Sequence, residues 1–83
     1  MEAKVVGKNV EELIKKYNVT VESLAEKLNI SKKDLEKKLA GEEEFFVSEV
    51  ILITEFLQLD IKTVSKIFFS SENYNNEKNQ NKQ

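Results

Sequence analysis

The sequence predicts an all-α protein, a compact bundle of five short helices. Two observations indicate that fold class. Apolar residues recur at intervals of three and four positions along the chain, with no sustained alternation. Proline is absent and glycine occurs only at Gly7 and Gly41, so few positions interrupt a helix. The 83 residues suffice for one domain, which we place at residues 1–69.

Each of the five helices is predicted from a polar cap and the apolar face that follows it. The predicted N-terminal caps are Asn9 (with Glu12 completing a capping box), Thr20, Ser31, Ser48 and Asp60. The predicted inner faces are, in chain order, Leu13, Ile14 and Tyr17; Val21, Leu24, Ala25 and Leu28; Leu35 and Leu39; Val50, Ile53 and Leu57; and Ile61, Val64, Ile67 and Phe68. Asn29 and Gly41 are expected to end the second and third helices. Residues 70–83 are polar and rich in asparagine, which predicts a disordered tail.

The residue types that are absent narrow the possible functions. The chain has no histidine, cysteine, tryptophan or arginine, so all 13 basic residues are lysine. Most nucleophilic triads and transition-metal sites need histidine or cysteine, so we expect neither an enzyme nor a bound metal or cofactor. Glu42, Glu43 and Glu44 are predicted to form a solvated loop. A weak Mg²⁺ or Ca²⁺ site is the alternative, since hard cations bind carboxylates, but three adjacent glutamates do not make a cation cage. No stretch resembles a signal peptide or is long enough to span a membrane, so we expect a cytoplasmic protein without membrane contact.

Charge is unevenly distributed along the chain. The formal net charge is −2. Residues 15–41 carry seven lysines and four acidic residues, a net charge of +3, so the remaining residues sum to −5. Such a separation of charge can steer a charged ligand to one side of a molecule.

The run VTVESLAEKLNISKKDLEKKLAG combines these features. Thr20 stands before a Leu24-Ala25 pair, and Ile30-Ser31 leads into a helix that Gly41 ends. This run resembles the helix-turn-helix of the Cro/CI (XRE-like) domains of phage repressors and bacterial regulators. The segments on either side, GKNVEELI and FFVSEVILITEFLQLDIKTVSKIFF, are similar to the first helix and the last two helices of that family. The resemblance covers residues 5–69.

The resemblance implies a lambda-repressor-like fold and a phage-type transcriptional regulator that binds double-stranded DNA. The third helix would lie in the major groove, and its first residues would contact bases. The positions that match the DNA-contacting positions of the family are Thr20, Val21, Ser31, Lys32, Lys33, Asp34, Lys37 and Lys38. Lys15, Lys16 and Lys27 would lie nearer the DNA backbone.

Three features of the sequence depart from the pattern of the family. Val21 stands where the second helix usually begins with a glutamine that holds a phosphate. Asp34 and Glu36 stand where small hydroxyl residues are common, and three glutamates follow Gly41 where many relatives are basic. Each departure weakens DNA contact without harming the fold. A protein-interaction module with little DNA affinity is therefore the alternative hypothesis, because scaffolds are reused for unrelated functions.

The fourth helix is more apolar than one core stripe requires. Ile51, Leu52 and Phe56 lie outside the Val50, Ile53 and Leu57 face. One interpretation is that Leu52 and Phe56 widen the core, under Val5 and Val6. The other is that Ile51, Leu52 and Phe56 form a two-fold homodimer interface, or meet another protein partner.

Overall fold

The computed structural model describes residues 2–69, and every secondary-structure element in that range is helical. The helices are α1 (Ala3–Lys16), α2 (Val21–Leu28), α3 (Lys32–Leu39), α4 (Val47–Leu57) and α5 (Ile61–Val64), and α5 continues into a π-helical turn (Ser65–Phe69). The predicted all-α bundle of five helices is confirmed. The predicted tail, residues 70–83, lies outside the described residues.

The core lies where α1 packs on α3 and on the π-helical turn, and α2 packs on α3 and α4. Val10, Leu35 and Ile53 are completely buried at its centre. The predicted inner faces are largely confirmed, with two exceptions. Tyr17 is 40% exposed because it follows the last residue of α1, and Ile61 is 81% exposed at the first position of the one-turn α5.

The prediction that Asn9 caps the first helix is wrong. Helix α1 begins at Ala3, seven residues before the first helical residue that a cap at Asn9 implies, because Val6 and Val10 extend its buried stripe toward the N-terminus. Asn9 therefore lies inside the helix, where its side-chain amide donates a hydrogen bond of 3.1 Å to the carbonyl oxygen of Ile67. This bond joins the first helix to the last turn of the bundle.

Ser48 does not cap α4 either. The helix begins at Val47, and Phe46 occupies the cap position. Phe46 has no side-chain acceptor, but its backbone N–H donates to Glu49 Oε1 at 2.8 Å. The Glu49 carboxylate therefore makes one of the two hydrogen bonds of a capping box, the one that it accepts from the backbone N–H of the cap residue. The other bond needs a polar side chain at the cap position, which Phe46 does not have.

Four helices end in the same hydrogen-bonded geometry. Asn18, Asn29, Gly41 and Gln58 each adopt a positive φ one or two residues after the last residue of a helix. After α3, for example, Gly41 N–H donates to the Lys38 carbonyl and Glu42 N–H donates to the Lys37 carbonyl. This is the Schellman pattern, which satisfies carbonyl groups that the helix leaves free. The predicted ends at Asn29 and Gly41 are confirmed.

Gly7 sets the distance between α1 and α3. A Cβ atom at this position would lie 2.6 Å from the Lys38 carbonyl oxygen and closer still to that of Leu39. The two backbones therefore approach more closely than any residue with a side chain allows. This contact fixes the C-terminal end of α3 against α1.

Candidate nucleic-acid interface

The α2–α3 pair is built around two hydroxyl caps. Thr20 Oγ1 accepts a hydrogen bond from the Ser23 N–H at 3.0 Å, and Ser31 Oγ accepts one from the Asp34 N–H at 3.0 Å. Both predicted caps are confirmed. Between the helices, Ile30 is partly buried against the core. The caps and this anchor fix where α3 begins and which of its faces is exposed.

Lys33 and Lys37 form the outermost ridge of α3. Leu35 lies midway between them in sequence and is completely buried. At about 100° per residue, each lysine lies roughly 160° from Leu35, and the two lie about 40° apart. Neither forms a salt bridge within the described residues 2–69. This face can therefore present two unpaired ammonium groups, one turn apart, to a polyanion.

Lys32 is paired across the α2–α3 boundary. Its Nζ lies 2.7 Å from Glu22 Oε2, and both side chains are exposed. The hydrogen bond from Lys32 holds the pKa of Glu22 below its ordinary value, and the same bond raises the pKa of Lys32. Lys32 would have to leave Glu22 before it could contact a phosphate. This ion pair joins two different helices, so the spacing of residues within one helix does not predict it.

Lys38 is predicted to contact DNA, but the structure buries its side chain. It is only 4% exposed, and its Nζ lies 3.1 Å from Glu49 Oε1 and donates to the Glu44 carbonyl oxygen at 3.0 Å. The ammonium group also lies 4.2 Å from the centre of the Phe46 ring, within cation–π range. This lysine ties α3 to the start of α4.

Val21 and Asp34 also fit poorly as DNA contacts. Val21 is partly buried against the core and has no polar group with which to hold a phosphate. Asp34 is exposed in the first turn of α3, where its negative charge suits the helix dipole. A carboxylate there repels a phosphate. Of the eight predicted residues, the structure places Ser31, Lys32, Lys33, Asp34 and Lys37 on the exposed surface of α3 or directly before it, and Thr20 is exposed before α2.

The predicted dimer interface is divided between two surfaces. Leu52 and Phe56 are partly buried against the core. The Phe56 ring lies 5.1 Å from Lys27 Nζ of α2, so it widens the core toward α2. Ile51 faces a different side of α4 and is 52% exposed. These three residues do not form one exposed face.

Ile51 instead belongs to an apolar groove between α4 and α5, which we call the α4–α5 groove. It has a volume of about 400 Å³ and is lined by Val47, Val50, Ile51, Thr54, Glu55, Leu59, Ile61, Val64 and Phe69. Glu55 is its one charged lining residue. Helical periodicity does not reveal this groove, because it places Ile61 in the core and gives no sign that Val47 and Phe69 share a surface with it.

Comparisons with known protein families, with curated proteins and with solved structures found no match to this chain. The site must therefore be judged on its own geometry.

Two further observations concern the part of the chain that the structure describes. No helix there is long and apolar enough to cross a membrane. Within residues 2–69, no group of three carboxylate, histidine or cysteine side chains is placed to hold a metal ion, and this includes the Glu42–Glu44 loop.

Proposed function

We propose that this chain is a small sequence-specific DNA-binding regulator of the phage-repressor type, with α3 in the major groove. The single observation that carries the proposal is the Lys33–Lys37 ridge on the exposed side of α3, opposite the buried Leu35. An α-helix fits the major groove, and lysines on its outer face can donate to guanine or to phosphate. Ser31 and Thr20 fix the starts of the two helices, as a helix-turn-helix requires.

The proposed contact set is smaller than the sequence alone suggests. Lys33 and Lys37 supply the central contacts. Lys15 and Lys16, which are exposed at the end of α1, are further cations that can contact the DNA backbone. Lys32 contributes only after it separates from Glu22. Because lysine acts as a point charge, much of the affinity arises from phosphate neutralisation and falls steeply with salt.

Selection from a random duplex pool at low salt tests this proposal. We expect a consensus sequence to emerge, and affinity for it to fall linearly on a plot of log K against log salt concentration. Lys33→Ala and Lys37→Ala should each weaken binding. Where the lost contact is to a phosphate, the slope should decrease by about 1.

Lys62→Ala is the matched control, because Lys62 is an exposed lysine on α5. It should leave affinity and slope unchanged. The proposal fails if no sequence is enriched, or if Lys62→Ala weakens binding as much as Lys33→Ala. The second outcome would mean that the lysines act through total charge alone.

A protein-interaction module with little DNA affinity is the second candidate function. It is favoured by the exposed Glu42–Glu44 loop directly after α3 and by the α4–α5 groove. The same selection separates the two candidates, since a pure interaction module gives no consensus. A homodimer stays a prediction, and sedimentation of the full chain measures it directly.

A further inference from the structure

The segment that carries the α4–α5 groove is strongly acidic. Residues 39–61 contain six acidic residues and no basic one. Glu49 is buried and paired with Lys38, so it does not contribute to the surface. The five exposed carboxylates are those of Glu42, Glu43, Glu44, Glu55 and Asp60. The surface charge of residues 39–61 is therefore opposite in sign to that of the Lys33–Lys37 ridge on α3.

The groove itself is apolar and is not covered by any described part of the chain. Val47, Ile51 and Phe69 are each about half exposed or more, and Ile61 is almost fully exposed. Side chains of this kind that line one concavity are typical of a protein-interaction site. Glu55 lies within the lining, and the Glu42–Glu44 loop precedes Val47 in the chain by only a few residues.

Charge decides which occupant fits. A second copy of this chain, placed groove to groove about a two-fold axis, would bring together the Glu55 carboxylates of the two linings, with Asp60 next to the lining residue Ile61 in each copy. Like charges across an interface oppose association. Residues 70–83 contain a single large apolar side chain, that of Tyr74, whereas the groove has several aliphatic positions. A partner that carries both cations and aliphatic side chains matches the Glu55 carboxylate and the apolar lining of the groove.

We propose that the α4–α5 groove binds an amphipathic helical segment of another protein, with aliphatic residues on one face and lysine or arginine beside them. Its aliphatic side chains, spaced at i, i+3, i+4 and i+7, would pack against Val47, Ile51 and Ile61. Its cations would pair with Glu55 and with the Glu42–Glu44 loop. The proposal does not depend on DNA binding, because it uses a different surface.

A designed peptide of roughly 14 residues, with leucines at that helical spacing and lysines elsewhere, is the probe. Two matched peptides accompany it: a scrambled peptide of the same composition, and a peptide with the same leucines but glutamates in place of the lysines. Binding to the full-length chain is measured by fluorescence anisotropy, and the site is located from backbone amide chemical shifts. We expect the designed peptide to bind at least about tenfold more tightly than either matched peptide. Its shift changes should centre on Val47, Ile51, Glu55 and Ile61.

Variants of the chain test whether the peptide binds in the groove or elsewhere on the surface. Ile61→Ser and Glu55→Gln should each weaken peptide binding several-fold. Their controls are Val5→Ser and Glu11→Gln, which change an exposed aliphatic residue and an exposed carboxylate on α1. Both controls should bind the peptide as the parent chain does.

Three outcomes would overturn the proposal. The first is equal affinity for the scrambled peptide, which would show that charge alone drives binding. The second is a set of shift changes outside the groove. The third is a parent chain that sediments as a dimer and becomes a monomer in Ile61→Ser, which would show that a second copy fills the groove.

Discussion

At the scale of single residues, Lys38 shows how burial changes the role of a charged side chain. It lies among lysines that face solvent, yet its ammonium group is held by Glu49, by the Glu44 carbonyl and by the Phe46 ring. A buried charge is tolerated because its partners replace the water that it has lost. Lys37 and Lys38, which are neighbours in one helix, therefore differ in environment: Lys37 is exposed to solvent, whereas Lys38 is part of the packed interior.

Removing one partner of this ion pair should be costly. Lys38→Met leaves the Glu49 carboxylate buried without its cation, and we expect the free energy of unfolding to fall by about 3 kcal/mol. The double variant Lys38→Met/Glu49→Leu removes both charges and should recover part of that loss. Urea denaturation of the two single variants and the double variant measures the coupling. Strictly additive losses would show that the two side chains do not interact.

Gly7 gives the second prediction at this scale, because replacing it with alanine should destabilise the protein, whereas the same change in other helices usually stabilises it. Alanine in place of glycine within a helix ordinarily stabilises a protein by roughly 0.5–1 kcal/mol. At Gly7, however, the new methyl group would meet the carbonyl oxygens of Lys38 and Leu39. We expect Gly7→Ala to destabilise the protein by about 1–3 kcal/mol, as overpacked sites do. Thermal unfolding tests it, with the neighbouring exposed Lys8→Ala as a near-neutral control.

At the scale of the helices, Ser31 and Ser48 form a matched pair that measures what a helix cap contributes to stability. Ser31 accepts a hydrogen bond at the start of α3, whereas Ser48 lies within the first turn of α4. We expect Ser31→Ala to lower the free energy of unfolding by about 1 kcal/mol. Ser48→Ala should change it by less than about 0.5 kcal/mol. Equal losses in the two variants would mean that Ser48 has a role that the start of α4 does not show.

The sequence predicts most of the helical architecture because its signals are local. Caps such as Thr20 and Asp60 act within one turn, and in each the side-chain oxygen accepts from the backbone N–H three residues on. The start of α1 was misplaced because burial of Val6 and Val10 outweighs the polar signal of Asn9. Gln58 ends α4 with a positive φ that a glutamine seldom adopts, so no composition rule would have found it.

The candidate sites divide in the same way. The exposure of Lys33 and Lys37 follows from helical periodicity about Leu35, so the sequence could predict it. The burial of Lys38 and the pairing of Lys32 depend on residues of neighbouring helices. The α4–α5 groove depends on where α5 lies against α4. The burial of Lys38, the pairing of Lys32 and the groove therefore cannot be predicted from the periodicity of any single helix.

At the scale of the whole molecule, the dominant feature is the separation of charge. The exposed lysine ridge lies on α3, and residues 39–61 carry five exposed carboxylates and no basic residue. Interactions of exposed charges fade beyond about 8–10 Å at ordinary ionic strength. A ligand on either surface therefore responds mainly to the charges within that distance of it. The net charge of −2 conceals this arrangement, because it averages over both surfaces.

The hydrogen bond from the Asn9 amide to the Ile67 carbonyl has a consequence for folding. It joins two residues that are 58 positions apart, so α1 and the π-helical turn complete their packing together. Contacts between residues far apart in sequence carry a loop-closure cost that neighbouring contacts avoid. We therefore expect the two ends of residues 2–69 to open together, so that a change that loosens either end weakens both.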